Sequence, residues 1–335
     1  IIFELQRNPF RKASPKLIDY FPLFIDSVLF DRENRAICRY LFSSTALIAT
    51  FAPSLKRNKT NGNNEKTTTI ISVSMFSCSD DDDDTLGVWY RRSDFDGRAR
   101  EDAAGFVIDN RGYLCGGYRG KDQRERDCWE YNIDNDWWTQ CADLPEEAAA
   151  RNGAVGFAIN SKGYVTTGYT VYRDDDPLHT GGYAYLKDTW EYEPATDTWK
   201  QMDDYPGDAR INAIAFAIGN YGYVGTGQSK DDKQTKDFYR FDPTAASGNQ
   251  WTIVNGFGGQ KRTGGLSFLI DNVAYIVGGT NNGKDVDDFW KFDPSKSEEN
   301  KWVRLRDITD QSSDDYDDDY KSITRTYGCA FVIDD

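Results

Sequence analysis

The chain has 335 residues, of which 39% are hydrophobic and 14% are aromatic, and its formal net charge is −15 at pH 7. This composition supports a hydrophobic core, and the length is compatible with one large all-β domain. Nucleic acid is not expected as a partner, because a phosphate-binding protein needs a basic face. The single histidine, His179, disfavours hydrolase and protease chemistry. No cysteine or histidine spacing is typical of zinc, so we expect neither a metal nor a cofactor.

The N-terminal region does not share the pattern of the rest of the chain. Residues 1–60 contain no repeat, and the apolar stretch from Ala36 to Ala52 is interrupted by Cys38, Arg39 and several hydroxyl residues. A membrane helix needs about 20 apolar residues, so one here would be marginal. We therefore interpret residues 1–77 as an upstream and signal segment outside the fold, followed by an acidic linker at residues 78–86.

The stretch from Lys66 to Asp84 resembles a bacterial lipoprotein signal. A basic residue, a mildly apolar run from Thr67 to Phe76, Cys78 and an acidic run follow one another. The resemblance implies that Cys78 carries lipid, is the only membrane anchor and holds the protein at the bacterial outer membrane, surface-exposed or facing the periplasm. Cys78→Ala should then leave a soluble, unprocessed protein. The alternative is a disordered acidic linker with an incidental cysteine.

One pattern organises residues 87–335: an aspartate followed by aromatic residues at alternate positions, which predicts a strand. A lone tryptophan follows each copy, and the tryptophans recur roughly every fifty residues, a period typical of radially arranged sheets. The four copies begin at Asp127, Asp188, Asp237 and Asp288, and the tryptophans are Trp89, Trp138, Trp199, Trp251 and Trp302.

Two further strands complete each unit. An arginine precedes an aromatic residue by six positions, and then a tight turn leads to a tyrosine-led strand that ends in glycine, as from Tyr113 to Gly117. The five arginines are Arg100, Arg151, Arg210, Arg262 and Arg325, and the five phenylalanines are Phe106, Phe157, Phe216, Phe268 and Phe331. Each unit therefore holds four short strands, and we expect the phenylalanines on the innermost one.

These residues resemble the kelch repeat, with its glycine-ending strand, aromatic strand and final tryptophan. Gly-Gly is intact only at Gly116-Gly117 and Gly278-Gly279. The resemblance implies an all-β, kelch-type β-propeller that is incomplete here, with four full four-stranded blades, partial blades at both ends and a truncated C-terminus. It also argues against copper oxidase activity, because the copper site of the kelch enzyme galactose oxidase needs two histidines.

In a four-stranded up-and-down blade, the repeated arginines lie at connections that reach one face. We expect them to form a ring near the central channel and to hold an acidic ligand by their planar forks. The alternative is that each arginine braces the structure by pairing with the aspartate that opens the third strand. Under the ligand hypothesis, Arg210→Ala weakens binding by about 1.5 to 3 kcal/mol with little loss of stability.

The same face carries the other candidate binding residues. Two long insertions lie there, and they contain the acidic runs Asp174–Asp176 and Asp314–Asp319, which are either solvated loops or a weak calcium site. The candidates that we add to the arginines as a ligand-binding set are Asn152, Asn212, Tyr183 and Tyr185.

Two functions from different classes remain open. The first is a monomeric, non-catalytic, cell-surface lipoprotein that binds a glycan or protein partner through the arginine-bearing face. The second is an enzyme resembling kelch-type N-acetylneuraminate epimerases (mutarotases), in which Glu101 or Asp102 would move the proton on an acidic sugar. The residues favour the first, because no other acid–base pair is distinguishable.

The cysteines do not form a framework. Cys115, Cys128 and Cys141 fall on three strands of one unit, where Cys128 could face Cys141 across a hairpin. One disulfide is permitted in an exported protein, but we expect two of the three to be small buried apolar residues.

Overall fold

The computed structural model describes residues 2–6, 28–30, 36–42, 45–52, 88–172, 182–309, 324–330 and 332. Within these residues the secondary structure is β throughout, apart from one 3₁₀ turn at Lys230–Asp232. Four antiparallel sheets of four strands follow one another along the chain, and we number them blades 1 to 4. No helix in the described part is long and apolar enough to cross a membrane.

In every blade the strands are paired in chain order, so each sheet is a simple meander. Blade 1 consists of Ala104–Ile108, Arg111–Cys115, Cys128–Asn132 and Trp137–Cys141. Blade 2 consists of Val155–Ile159, Lys162–Thr166, Thr189–Glu193 and Thr198–Gln201. Blade 3 consists of Ile214–Ile218, Tyr221–Gly225, Phe238–Phe241 and Trp251–Val254. Blade 4 consists of Leu266–Ile270, Val273–Val277, Trp290–Phe292 and Trp302–Arg304.

The first strands of successive blades pack against one another, which places them innermost. Each carries the predicted phenylalanine: Phe106, Phe157, Phe216 and Phe268. Phe331 lies outside the described residues. The Phe106 ring fills the space above Gly163 of the next blade, and Phe157 does the same at Gly222. The inner strands therefore interlock through a large ring that sits on a residue without a side chain.

A five-stranded sheet precedes blade 1, with strands ordered Val28–Phe30, Ala36–Phe42, Thr45–Ala52, Ile2–Gln6 and Val88–Arg92. The strand that contains Trp89 lies at one edge of this sheet, and Val28–Phe30, at the other edge, contacts the first strand of blade 1. This pairing departs from our expectation that residues 1–77 stand outside the fold. The sequence from Ala36 to Ala52 is rich in strand-forming residues, and its strands Ala36–Phe42 and Thr45–Ala52 pair antiparallel. The lipid-accepting role of Cys78 lies outside the described residues and stays a prediction.

Short accessory strands lie on one face, in the connections between second and third strands and, in blade 3, also just before the first strand. They are Tyr169–Tyr172 with Gly182–Tyr185, Arg210–Ile211 with Gln228–Ser229 and Lys233–Gln234, and Thr280–Asn281 with Lys284–Asp285. We call this surface the mouth face. The opposite face is formed by tight turns such as the one between Ile108 and Arg111.

Candidate functional site

The repeated arginines are turned into the protein. Arg100 is 3% exposed, Arg151 is 1% exposed, and Arg210 and Arg262 are fully buried. Each donates hydrogen bonds to the aspartate that opens the third strand of its own blade: Asp127, Asp188, Asp237 or Asp288. These four arginines therefore brace their blades, as the alternative interpretation held.

The bracing follows one plan in all four blades. Each arginine Nε donates to the backbone carbonyl two residues before it, and Nη1 donates to a carbonyl sixteen residues after it. In Arg151 the second bond is 3.2 Å long and ends on Thr167; in Arg210 it is 2.8 Å long and ends on Thr226. The guanidinium groups thus donate their hydrogen bonds to acceptors inside the protein. Our expectation that they converge on a ligand is wrong for these four, because a buried guanidinium that is paired with an aspartate and with backbone carbonyls presents no donor to solvent.

The fifth arginine, Arg325, is exposed. Its backbone carbonyl accepts a 2.6 Å hydrogen bond from the Gly279 N–H of blade 4. Arg151, Arg210 and Arg262 receive the same bond from the preceding blade, as Arg151 does from Gly117 at 2.7 Å. A Cβ atom on Gly117 would lie 2.9 Å from the Glu101 carbonyl oxygen, and its φ is +111°, so this link between blades requires glycine.

Two residues after each arginine, the backbone adopts a left-handed conformation. The five residues, with φ between 54° and 62°, are Asp102, Gly153, Asn212, Gly264 and Tyr327. The N–H of each donates to the carbonyl of the preceding one at 2.8, 2.9, 3.1 and 2.9 Å. A chain of backbone hydrogen bonds therefore runs from blade to blade around the central cavity.

These left-handed residues line a cavity of about 70 Å³ at the mouth face. Asp102, Asn212 and Tyr327 supply its polar side chains, and Gly153 and Gly264 leave backbone exposed to it. The Asn212 Nδ2 lies 3.5 Å from the Tyr327 hydroxyl. Asn152 is buried beside this cavity, and its Nδ2 donates to Asp102 Oδ2 over 3.2 Å. The structure thus places Asn152 and Asn212, proposed from the sequence as ligand-binding residues, next to Asp102, proposed as a catalytic candidate.

Glu101 does not join them. Its side chain is exposed, and its backbone pairs with Tyr118, away from the cavity lining. Asp102 is the only acid that lines the cavity among the described residues. Across the described part of the chain, no group of three histidine, cysteine or acidic residues could hold a metal. The acidic runs at 174–176 and 314–319 lie outside that part.

An aromatic cluster stands beside the cavity on the hairpin of blade 2. The Tyr169 ring stacks on Tyr183 with centroids 6.0 Å apart, and Tyr185 meets it edge-on at 5.3 Å. Tyr183 is 63% exposed. The two tyrosines chosen from the sequence therefore lie together on the mouth face, and Tyr183 presents a free aromatic surface.

Arg124, which was not among the residues predicted from the sequence, joins this cluster from blade 1. Its guanidinium lies 5.1 Å from the Tyr118 ring centroid and 4.8 Å from that of Tyr169. Its Nε donates to Asn152 Oδ1 over 2.6 Å. One sequence signal pointed to this position. A tyrosine follows the glycine-ending strand in blades 1 and 2, and it pairs with Arg124 in blade 1 and with Tyr185 in blade 2.

Radial four-stranded meanders with packed inner strands define a β-propeller. The family model described as the kelch motif matches residues 99–145 and 261–308, which cover blades 1 and 4. The chain carries kelch repeats and has the kelch-type propeller fold. A solved structure titled "Structure of YjhT" has 15% sequence identity and a TM-score of 0.59, with 93% of this chain and 89% of that chain covered. No curated protein matches the chain.

Proposed function

We propose that the chain is a non-catalytic binding module that holds a glycan or protein partner on its mouth face. The observation that supports this most directly is the exposed Tyr183, stacked on Tyr169 next to the polar cavity around Asp102. An aromatic face beside fixed amide and carboxylate groups suits a ligand with one apolar face and several hydroxyl groups. A glycan fits this description best.

The neighbourhood of the cluster supports the same assignment. Gln228 and Gln234 of blade 3 lie on adjacent accessory strands of the mouth face, their amides 3.4 Å apart. Asn152 and Asn212 add further amides closer to the cavity. Amide groups can donate and accept at once, and they bind hydroxyl groups without requiring a charge on the ligand.

The experiment compares Tyr183→Ala with Trp137→Ala on an immobilised panel of neutral and acidic oligosaccharides and extended peptides. Trp137 is also exposed, at 57%, but it begins the outer strand of blade 1 at the opposite face. Loss of a stacking surface should weaken binding about fivefold or more in the first variant and leave the second unchanged. Equal binding by both variants, or no binding by the parent chain, would contradict the proposal.

Surface display through a lipid on Cys78 belongs to this proposal and rests on the sequence alone. It predicts that Cys78→Ala abolishes membrane fractionation, and unchanged fractionation would exclude it. An epimerase-like activity gains no support from the cavity lining, where Asp102 has no second acid among the described residues.

A further inference from the structure

Arg124 differs from the four bracing arginines in how its donors are used. Arg210 places Nε on a carbonyl and both Nη groups on Asp237. Arg124 instead uses Nε for Asn152, and its Nη1 makes one 3.3 Å contact with the Asp122 carbonyl. Within the described part of the chain, its Nη2 has no hydrogen-bond partner. The outer edge of this guanidinium is therefore open on the mouth face.

The aromatic rings and Asn152 hold this open edge in place. The contacts with Tyr118 and Tyr169 fix the plane of the guanidinium, and the 2.6 Å bond to Asn152 fixes its rotation. Asn152 is itself only 7% exposed and is anchored on Asp102. A guanidinium held in this way binds a planar anion with little further loss of conformational freedom.

The charge around Arg124 is incompletely balanced. Burial lowers the pKa of Arg124, and the opposing effects of Tyr169, Asp122, Tyr118 and Asp102 do not offset it. The adjacent acid, Glu125, is occupied by Arg119 at 2.8 Å and by Arg98 at 3.7 Å. A ligand anion would therefore supply stabilisation that the described part of the protein does not.

We propose that the open edge of Arg124 binds the carboxylate of an acidic glycan, with the tyrosine cluster against the sugar ring. The inference deepens the proposed function and rests on it. A planar carboxylate matches the two-pronged guanidinium edge. In a uronic acid this group is attached directly to the pyranose ring, which matches an open guanidinium edge beside half-buried tyrosine rings and the exposed ring of Tyr183. The acidic ligand expected from the sequence is thus assigned to Arg124 in place of the buried arginines.

The test measures binding of three immobilised probes: a glucuronate-containing oligosaccharide, its glucose counterpart and a glutamate-rich peptide. The parent chain should prefer the glucuronate probe over the glucose probe by about tenfold or more. Arg124→Lys keeps the charge but loses the two-pronged edge, so most of this preference should disappear while binding to glucose is retained. Arg304→Lys is the matched control, because Arg304 is exposed on the outer strand of blade 4.

The outcomes separate this inference from the proposed function. If the parent chain binds glucuronate and glucose equally, and Tyr183→Ala weakens both, the Arg124 assignment fails while the binding module stands. If Arg124→Lys retains the preference, the assignment also fails. Preferential binding of the peptide overturns the glycan as the source of the carboxylate. No binding to any probe overturns the inference and the proposed function together.

Discussion

Arg151 and Asp188 are joined by two parallel hydrogen bonds, from Nη1 to Oδ1 at 2.8 Å and from Nη2 to Oδ2 at 2.6 Å. The arginine side chain is 1% exposed and the aspartate side chain is 20% exposed. The Trp190 indole N–H adds a 2.6 Å bond to the same carboxylate. This pair links the segment before the first strand of blade 2 to the start of its third strand. It therefore stabilises the fold.

Arg151→Ala should therefore destabilise the protein strongly. It leaves Asp188 without its charge partner in a desolvated position, which costs about 3 to 5 kcal/mol of unfolding free energy. Arg304→Ala is the matched control, because Arg304 Nη2 also donates to both carboxylate oxygens of an aspartate, Asp307, at 2.9 and 2.8 Å, but on the surface. An exposed pair contributes little to stability, because water screens its charges. Urea unfolding of both variants measures the difference, and similar losses would show that burial does not decide the effect.

Arg210 is also expected to affect the stability of the fold, as Arg151 does. The sequence suggested that Arg210→Ala would reduce ligand binding and spare the fold, but Arg210 is fully buried on Asp237. The variant should now lose stability as Arg151→Ala does.

Protonation of the same aspartates should also lower the stability of the protein at acidic pH. Burial raises the pKa of Asp188, but the charge and hydrogen bonds of Arg151 and Trp190 lower it more, so the carboxyl lies below its ordinary pKa. The pKa of Asp127 is lowered in the same way, since the hydrogen bonds and charge of Arg100 outweigh the effect of burial. A folded-state pKa below the unfolded value of about 3.9 gives stability that is present above that pH and is lost as pH falls through the folded-state pKa.

Asp188→Asn should accordingly be less stable at neutral pH, and its stability should depend less on pH below about 4. Urea unfolding across this range gives both quantities. Asp271→Asn is the control, because Asp271 is exposed in a turn where asparagine is equally suited to its φ of 51°. A parent-like acid slope in Asp188→Asn would show that other groups carry the acid dependence.

The sequence predicted the fold well because the blade pattern repeats. Alternating aromatics, fixed arginine spacing and spaced tryptophans each occur several times, so chance is excluded even where one copy departs from the pattern. The direction of the arginine side chains could not be read from spacing, because a cation near a channel and a cation paired inside a blade have the same sequence position. The Asp127 and Asp188 partners were visible in sequence, and the structure decides between the two interpretations.

The candidate site was predictable only in part. Asp102, Asn212, Gly153 and Gly264 belong to the residue types that accept a left-handed backbone, a signal that lay two positions after each arginine. Arg124 could not be found from a repeated residue type, because its counterparts in the other blades, such as Tyr185 and Gln234, share no residue type with it. Residues on the mouth face vary between blades, while the framework below them repeats.

Thr226→Gly should stabilise the protein by about 1 kcal/mol. Thr226 has a φ of 58°, where a β-branched residue costs about 1 to 2 kcal/mol, and its buried hydroxyl has no hydrogen-bond partner. Blades 1 and 4 have Gly116 and Gly278 at the same position. These gains exceed the lost burial of the Cβ and methyl carbons, about 1.6 kcal/mol together, and the added freedom of the unfolded chain, about 0.5 to 1 kcal/mol.

The matched control for that change is Thr166→Gly. Thr166 is equally buried, but it lies in a regular strand of blade 2, and its hydroxyl lies 3.1 Å from the Asp188 carbonyl. The same substitution there removes a satisfied hydroxyl and weakens a strand, so it should destabilise. Thermal unfolding of both variants checks the prediction, and a loss of stability in Thr226→Gly would mean that the backbone at this position is not strained.

Three cysteines face one another across blade 1. Cys115 lies opposite Cys128, and Cys128 lies opposite Cys141. The disulfide joins Cys115 to Cys128, so Cys128 does not pair with Cys141, and only Cys141 remains as a half-buried thiol in this row.

Burial, with the nearby charges of Glu130 and Asp197, raises the pKa of the Cys141 thiol to about 11. Because the thiolate is the reactive form, alkylation by iodoacetamide should be slow at pH 8 and should accelerate about tenfold per pH unit toward that value. Peptide mapping after alkylation measures the rate and the pairing together, and labelling in urea gives the rate of the unfolded thiol as the control. A Cys128–Cys141 disulfide, or equally fast labelling of Cys141 in the folded and unfolded chains at pH 8, would contradict the assignment.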